Sequence, residues 1–257
     1  MAKKVALEKE CEFFTAERLD EIVILRLKEN LLFRATDLSE RDNMIDYLNQ
    51  VSITDSIKVV VFMSSPECKG SEEYFDFYHR ALSSRLYDTD FHRLHNVFTQ
   101  IILRIVELNK IVVHANSGKV ISLFLNVSLA CDYRIVADNT VFQNPFYKLG
   151  LVPIGGGAFF LSRRLGRSKA LEILLCDTDI TADEAMKLGI VDRVVPREEL
   201  EKAAIDTARR FAQKPARSLA GLKKLINHSM IDLKDYMALE YKELIKVIDS
   251  GLKRPDH

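Results

Sequence analysis

The sequence has no excess of charge of either sign, because 37 Lys and Arg residues balance 37 Asp and Glu residues among 257 positions. Proteins that bind nucleic acid through its phosphates carry a basic surplus, so this balance argues against a nucleic-acid partner. Long apolar runs are also missing: stretches such as 57–63 and 120–125 are far shorter than the roughly 20 residues of a membrane-spanning helix. The first ten residues lack an apolar segment behind their lysines, so we expect no signal peptide, no membrane partner and a cytoplasmic location.

Closely spaced cysteines are absent as well. Cys11, Cys68, Cys131 and Cys176 form no C-x-x-C pair, which argues against a disulfide framework and against a zinc site built from thiolates alone. We expect reduced thiols, with Cys131 and Cys176 packing in apolar surroundings. Glycine and proline do not occur before Pro66, so we expect Asn, Asp and Ser to form the turns of the N-terminal segment.

What remains is typical of a globular α/β protein, with 47% hydrophobic and 29% charged residues. A strand at 22–28, a helix at 37–51 capped by Asp37 or Ser39, and a strand at 58–63 predict a βαβ unit and hence a parallel sheet. The same reasoning predicts the following later elements: helix 92–108, strand 110–114, helix 126–132, strand 133–137, a helix opened by 155–157 and running through 164, and a helical remainder from Ser168 broken at Gly189, Pro196 and Pro215.

Several local patterns could carry chemistry, but none is specific. His92 and His95 share a helical face and could bind a metal, yet no third ligand is near in sequence, so we expect no metal site. The run 155–157 precedes a helix, where N–H groups attract anions, but it lacks both nucleotide-binding spacings, and close backbone packing is the favoured interpretation. His114 ends an apolar strand and is either a hydrogen-bonded core histidine or a general base. No G-x-S-x-G sequence supports a serine hydrolase.

A longer pattern is specific. Residues 128–138 (Ser-Leu-Ala-Cys-Asp-Tyr-Arg-Ile-Val-Ala-Asp) are followed by 148–153 (Lys-Leu-Gly-Leu-Val-Pro), Gly156-Gly157, 164–175 and 181–196. In this order the segments resemble the crotonase (enoyl-CoA hydratase/isomerase) superfamily, most clearly over 58–225 and more loosely over the whole chain.

This resemblance implies an α/β fold, a crotonase-like spiral of ββα units over 1–196, followed by a C-terminal helical trimerisation region over 197–257. Members of the family assemble as trimers or as dimers of trimers, so we expect a homotrimer or hexamer. In particular, helix 233–247 is expected to bury Leu239, Leu244 and Val247 against the core or a neighbouring subunit.

The resemblance also implies an acyl-CoA thioester as substrate and partner, with the CoA as part of the substrate and no separate cofactor. Family members stabilise the enolate of the thioester in an oxyanion hole of two backbone N–H groups, each worth about 3–4 kcal/mol. The matching donors here are Ser71, which follows Gly70, and Leu123. The family has glycines where this chain has 122–124, so the β-carbons of Leu123 and Phe124 are expected to crowd the approach.

The acid and base of the family hydratases are replaced. Those enzymes use two glutamates, whereas this sequence has Asn126 and Phe146 at the matching positions, and neither exchanges a proton near neutral pH. Hydration is therefore not expected, although Asn126 could orient a water or a substrate oxygen. Replacement groups could come from a first loop, from His114 or from Tyr147, and the loop offers Glu67, Glu72, Glu73 and Asp76.

The resemblance and position suggest substrate contacts at Lys69, Gly70, Phe124, Phe146 and Tyr147, with Lys69 or Lys253-Arg254 near the CoA phosphates. Three functions remain open. The first is a divergent lyase or isomerase of fatty-acid type metabolism, including thioester decarboxylation or hydrolysis. The second is a catalytically silent acyl-CoA-binding member or subunit. The third is a small-molecule binder or hydrolase that uses the fold without CoA.

Overall fold

The computed structural model describes residues 7–65, 69–83, 87–175 and 178–251. Its larger sheet has seven strands in the order β1-β2-β3-β4-β5-β7-β10. The first three strands are antiparallel neighbours and the rest pair in parallel. The strands of this sheet are β1 (Lys9–Glu10), β2 (Phe14–Leu19), β3 (Ile22–Leu27), β4 (Val59–Met63), β5 (Ile111–Asn116), β7 (Tyr133–Ala137) and β10 (Arg193–Val195).

A smaller sheet of three strands, in the order β6-β8-β9, lies at the point where the chain leaves β5. Its strands are β6 (Lys119–Ile121), β8 (Val141–Gln143) and β9 (Ile180–Thr181). Strand β6 pairs in parallel with β8, and this register places Ile121 opposite Gln143. The small sheet therefore brings the start of one helix, at residue 122, beside a polar side chain from a different part of the chain.

Helices cover both faces of the larger sheet. The helices are α1 (Leu31–Arg34), α2 (Leu38–Ile53), α3 (Ser71–Ser83), α4 (Tyr87–Glu107), α5 (Ser122–Ala130), α6 (Gly157–Leu165), α7 (Arg167–Leu175), α8 (Ala182–Lys187), α9 (Leu200–Ala212), α10 (Ala216–Asn227) and α11 (Leu233–Gly251). The structure also has short 3-10 helices at Pro145–Leu149, Arg197–Glu199 and His228–Met230.

The two faces of the sheet are packed differently because alternate residues of a strand point to opposite sides. Val113 and Ala115 of β5 join a small cluster against the alanine-rich face of α9. Val112 belongs to the larger core, where helices α2, α4 and α5 lie. His114 and Asn116 share the side of Val112 by alternation, so two polar side chains enter the larger core.

The expected architecture is confirmed, as an α/β fold with a mainly parallel sheet and the predicted βαβ unit. Asp37 caps α2, as one of the two predicted alternatives, by accepting the Ser39 N–H. Cys131 is buried and unpaired, as expected, whereas Cys68 and Cys176 lie outside the described residues. The division at residue 196 stays a prediction, and α9 beyond it packs on the main sheet.

Two expectations were wrong. Residues after Ser168 are not helical throughout, because β9 and β10 each add a short strand that completes a sheet. The helix expected at 126–132 begins already at Ser122, directly after β6, and ends at Ala130. In α11, Leu244 is buried as expected, together with Leu233, Met237 and Ile248. Leu239 is 54% exposed in the single chain, so its burial against a neighbouring subunit stays a prediction.

No helix in the described part of the chain is both long enough and apolar enough to cross a membrane.

Candidate functional site

The first turn of helix α5 forms one part of the candidate site. All nine of its residues are buried, and Ile121 before it supplies no side-chain cap. The N–H groups of a first helical turn have no acceptor within the helix, and Leu123 is the second residue of this turn. The Leu123 N–H therefore needs an acceptor from outside α5, whatever its side chain.

The large side chains of this turn point into the fold. The Phe124 ring packs against Phe98, with 5.8 Å between the ring centroids. The Leu123 side chain fills space that Gly155 leaves open, since a Cβ at Gly155 would lie 2.8 Å from Leu123 Cδ1. Both side chains take part in core packing, and this packing accounts for the loss of glycine at 122–124.

The other predicted donor already has an acceptor. Ser71 begins α3, and its backbone N–H donates to Gln143 Oε1 at 3.0 Å. Gly70 permits this close approach: its φ is +63°, and a Cβ there would lie only 2.4 Å from Gln143 Oε1. The adjacent Lys69 is exposed and pairs as an isolated bridge with Lys119. Gly70 is thus required by the local geometry.

Gln143 lies beside the two segments that carry the predicted donors. It lies opposite Ile121 in the small sheet, and Ile121 is the residue immediately before α5. Neighbouring strands are about 4.8 Å apart, so the backbone of Gln143 runs beside the start of α5 while its side chain reaches the start of α3. The start of α3 therefore contacts the Gln143 carboxamide, and the start of α5 lies beside the backbone of the same residue.

Asn126 holds a backbone turn. Its Nδ2 donates to the Ile154 carbonyl oxygen at 2.7 Å, and the side chain is only 2% exposed. Gly157 packs directly on this amide, because a Cβ there would lie 2.9 Å from Asn126 Nδ2. The amide that replaces the family glutamate is thus committed to a structural contact.

Phe146, at the second replaced glutamate position, is 1% exposed and lies within a 3-10 helix. Its ring packs against Tyr147 with 4.4 Å between centroids. Tyr147 remains 38% exposed, so of these two residues it is the one that a bound molecule could reach.

The glycine run before α6 binds an internal carboxylate. The N–H groups of Gly155 and Gly156 donate to Glu240 Oε1 at 2.6 Å and Oε2 at 2.9 Å, and both glycines have φ near +80°. His95 Nε2 lies 3.7 Å from Glu240 Oε1. Glu240 is buried and comes from α11, so the anion at this turn is supplied by the C-terminal helix.

Sequence reasoning missed Glu240. A signal was present: Met237, Glu240 and Leu244 follow the three-to-four residue spacing of one helical face, and a charged residue inside an apolar stripe indicates a buried, partnered carboxylate. Gln143 gave no such signal, because its partner Ser71 lies 72 residues away.

His114 is a core histidine in this structure. It is 1% exposed, and its Nδ1 accepts a hydrogen bond from Asn116 Nδ2 at 2.8 Å. Burial, helped by the charge of Arg134, lowers the pKa of His114 to about 3, so the ring is neutral at pH 7. A base of this pKa accepts protons poorly near neutrality.

Two of the four acidic residues expected as replacements have partners. Glu72 pairs with Lys119 at 3.2 Å, and the buried Glu73 accepts the Leu32 N–H at 3.1 Å. Burial raises the pKa of the Glu73 carboxyl. Asp76 lies on the same helix, and Glu67 lies outside the described residues, as do Lys253 and Arg254. Glu72 and Glu73 therefore tie α3 to its neighbours.

The nearby cavity and the pair of helical histidines offer few polar groups that could bind a ligand or a metal. A cavity of about 30 Å³ lies beneath β4 and β5, and its walls are apolar apart from Ser64, His114 and Asn116. His92 and His95 both contact Tyr241, and the described residues hold no cluster of three or more metal-ligating side chains.

Comparisons with known proteins agree with this architecture. The sequence model described as enoyl-CoA hydratase/isomerase matches residues 20–250. The chain is 34% identical over 119 residues to carnitinyl-CoA dehydratase of Salmonella arizonae, covering 46% of each chain. It is 29% identical over 149 residues to trans-2-decenoyl-[acyl-carrier-protein] isomerase of Streptococcus mutans, covering 58% of this chain and 57% of that protein.

These matches span about half the length of the curated relatives. Over nearly the whole chain, the structure is similar to crystalline enoyl-CoA hydratase from Bacillus halodurans, with a TM-score of 0.78, 20% identity and coverage of 93% and 96% of the two chains. The match over residues 20–250 and the fold together identify the chain as a member of the enoyl-CoA hydratase/isomerase family, the crotonase superfamily.

Proposed function

We propose that this protein binds an acyl-CoA thioester, with the thioester oxygen between the Ser71 and Leu123 N–H groups, and does not hydrate it. The observation that carries the proposal is the Ser71 N–H at the start of α3, which already donates to a carbonyl oxygen, that of Gln143, beside the start of α5. Backbone donors at two helix starts polarise a carbonyl oxygen without any acidic side chain. The CoA belongs to the substrate, so this function needs no separate cofactor.

Lack of hydration follows from the fixed roles of the proton-transfer candidates. Adding water to a double bond needs one group to take a proton from the water and one to deliver a proton to carbon. Asn126 donates to Ile154, Phe146 has no proton to exchange, and His114 is neutral and buried. Tyr147 is exposed and, like Lys69, is proposed to contact the substrate.

Binding without turnover is the simplest consequence, and it corresponds to a silent member of the family. One reaction remains compatible with donors alone: loss of CO₂ from a β-carboxy thioester. There the bond from the α-carbon to the carboxylate breaks, its electron pair forms the enolate, and a solvent proton then adds to carbon. The replacement of two carboxylates by Asn126 and Phe146 favours such a substrate, because it removes like charge near the β-carboxylate.

Variants of Ser71 test the binding proposal. Ser71 is the first residue of α3, where proline is tolerated, so Ser71→Pro removes the N–H while Ser71→Ala retains it. Since Gln143 accepts this N–H in the free protein, the three proteins compared all carry Gln143→Ala, so that only the ligand uses the donor. Calorimetric titration with acetyl-CoA and longer acyl-CoAs should give equal affinities for Gln143→Ala alone and with Ser71→Ala, and a loss of about tenfold with Ser71→Pro, the effect of one lost hydrogen bond. Equal affinities for all three proteins would overturn the proposed position of the thioester. No binding by any of them would favour a function without CoA.

We further propose that the chain assembles as a homotrimer or hexamer. Support comes from exposed apolar side chains on α10 and after it, since Leu225 and Ile231 are 76% and 79% exposed in the single chain. Apolar residues grouped in this way mark contact surfaces. Sedimentation equilibrium should give a mass at least three times that of one chain, and Leu225→Glu should lower it. A mass equal to one chain would contradict the proposal.

A further inference from the structure

We propose that Gln143 is an internal competitor for the substrate: its carboxamide oxygen occupies the Ser71 N–H until an acyl thioester displaces it. This inference rests on the proposed function, because it concerns the same donor. It adds a residue that controls access to the site, and it predicts that the free protein is held in a closed state.

The contact is specific in its chemistry. A carboxamide oxygen and a thioester oxygen are both planar carbonyl acceptors, and one N–H makes a short, straight hydrogen bond with only one of them. Gln143 Oε1 already takes that bond from Ser71 at 3.0 Å. The two oxygens therefore exclude each other at the Ser71 donor.

The backbone around the contact is adapted to bring Gln143 close. Gly70 adopts φ +63°, and a side chain there would collide both with Gln143 Oε1, at 2.4 Å, and with Lys119 Cβ, at 2.5 Å. Glycine is the residue that accepts this conformation without a steric penalty. Gly70 thus makes room for the carboxamide as well as setting the direction of the Ser71 N–H.

The other end of the carboxamide is also held. Gln143 Nε2 donates to Asp179 Oδ2 at 2.9 Å, and Asp179 directly precedes β9, which pairs antiparallel with β8. A hydrogen bond to a carboxylate is stronger than one between neutral groups. Asp179 fixes the orientation of the amide, with its oxygen toward Ser71 and its nitrogen away from it.

The loss of substrate affinity caused by this competition can be bounded. A neutral hydrogen bond contributes a net of about 0.5–1.5 kcal/mol in proteins, so displacing Gln143 reduces substrate affinity by about threefold to tenfold. Removing the carboxamide should restore that affinity. Removing Asp179 alone should have a smaller effect in the same direction, because the oxygen can still reach Ser71.

The test measures acyl-CoA binding and hydrogen exchange of the Ser71 amide in the full chain. Gln143→Ala deletes the competitor, and Gln143→Met keeps a side chain of similar size without an amide, in case the alanine variant folds poorly. Gln213→Ala is the matched control, because it removes an exposed glutamine at the end of α9.

We expect both Gln143 variants to bind acetyl-CoA threefold to tenfold more tightly than wild type, and Gln213→Ala to bind as wild type does. The Ser71 amide should be protected from exchange in free wild type, unprotected in the free Gln143 variants, and protected again in those variants when acetyl-CoA is bound.

Two results would overturn the inference alone. One is unchanged or weaker binding by Gln143→Ala and Gln143→Met while wild type binds. The other is equal Ser71 protection in wild type and variants without ligand, which would mean that Gln143 does not occupy the donor. If neither wild type nor variants bound any acyl-CoA, the proposed function would fail together with the competition, even where the Ser71 exchange data confirmed the contact itself.

Discussion

Two groups of residues in and around the candidate site, called here the helical wall and the sheet wall, use their polar atoms differently. The helical wall, formed by Asn126, residues 154–157, His95 and Glu240, places a buried carboxylate on two backbone N–H groups. The sheet wall, formed by Ser71, His114, Asn116 and Gln143, contains only neutral groups. Each wall has one buried side-chain atom without a hydrogen-bond partner among the described residues, His95 Nε2 in the helical wall and Asn116 Oδ1 in the sheet wall. The helical wall therefore holds a charge on backbone donors and stabilises the fold, while the proposed thioester donor Ser71 belongs to the sheet wall.

Glu240 should give the largest effect on stability. Glu240→Ala leaves the Gly155 and Gly156 N–H groups buried and unpaired, and hydrogen bonds to a charged group are worth about 1.5–3 kcal/mol each. We expect the free energy of unfolding in urea to fall by about 4 kcal/mol.

Glu243→Ala, on the same helix but half-exposed, is the control and should change stability by less than about 0.5 kcal/mol. If Glu240→Ala were as mild as this control, the helical wall would not be the stabilising one.

His114 should make the stability of the sheet wall depend on pH. The pKa of His114 is about 3 in the fold, below the value near 6.5 expected in the unfolded chain, so the unfolded state takes up the proton first as pH falls. The contribution is complete above pH 6.5 and is lost toward pH 3. The free energy of unfolding should fall by about 1.4 kcal/mol per pH unit below about pH 6 from this group.

Carboxylates also titrate in this range, so the measurement is the difference between the wild-type and His114→Gln pH profiles. The variant should have a flatter profile between pH 6 and pH 4. Parallel profiles would show that His114 is not buried in its neutral form, and would reopen its candidacy as a base.

Substituting Asn126 should cause a smaller loss of stability, and this loss should shrink as pH falls, which is the opposite of the pH dependence expected from His114. Asn126→Asp keeps the shape but turns an acceptor toward the Ile154 carbonyl oxygen, where the structure has a donor. We expect a loss of about 2 kcal/mol in unfolding free energy at pH 7, partly regained at pH 5 when the acid is protonated and donates. Chemical denaturation at both pH values checks this, and a variant as stable as wild type at pH 7 would remove Asn126 from the helical wall.

The sequence predicted the scaffold well where short-range signals sufficed. The β-branched runs at Ile22 and Val59 predicted the parallel pair of strands, and of the two predicted cap residues Asp37 is the one that caps α2. The resemblance placed Ser71, Leu123, Asn126 and Phe146 as candidate positions. It could not indicate what each contacts, because such contacts depend on tertiary structure.

The interactions that define both walls join distant parts of the chain. Gly155 and Glu240 are 85 residues apart, and Ser71 and Gln143 are 72 apart. The local sequence around Gln143 is that of an ordinary strand end, so no periodicity indicates its target. Only Glu240, as a charge within the apolar stripe of α11, offered a clue that a closer reading of helical spacing could have used.

The most direct test of the account is a titration of the wild-type protein with crotonyl-CoA, in which the heat of binding and the mass of the acyl-CoA are followed in the same samples. The account predicts saturable binding, with a dissociation constant in the micromolar range, and no addition of water to the acyl group over hours. Formation of 3-hydroxybutyryl-CoA would contradict the claim that Asn126 and Phe146 have removed hydration, and the absence of binding would contradict the thioester site itself.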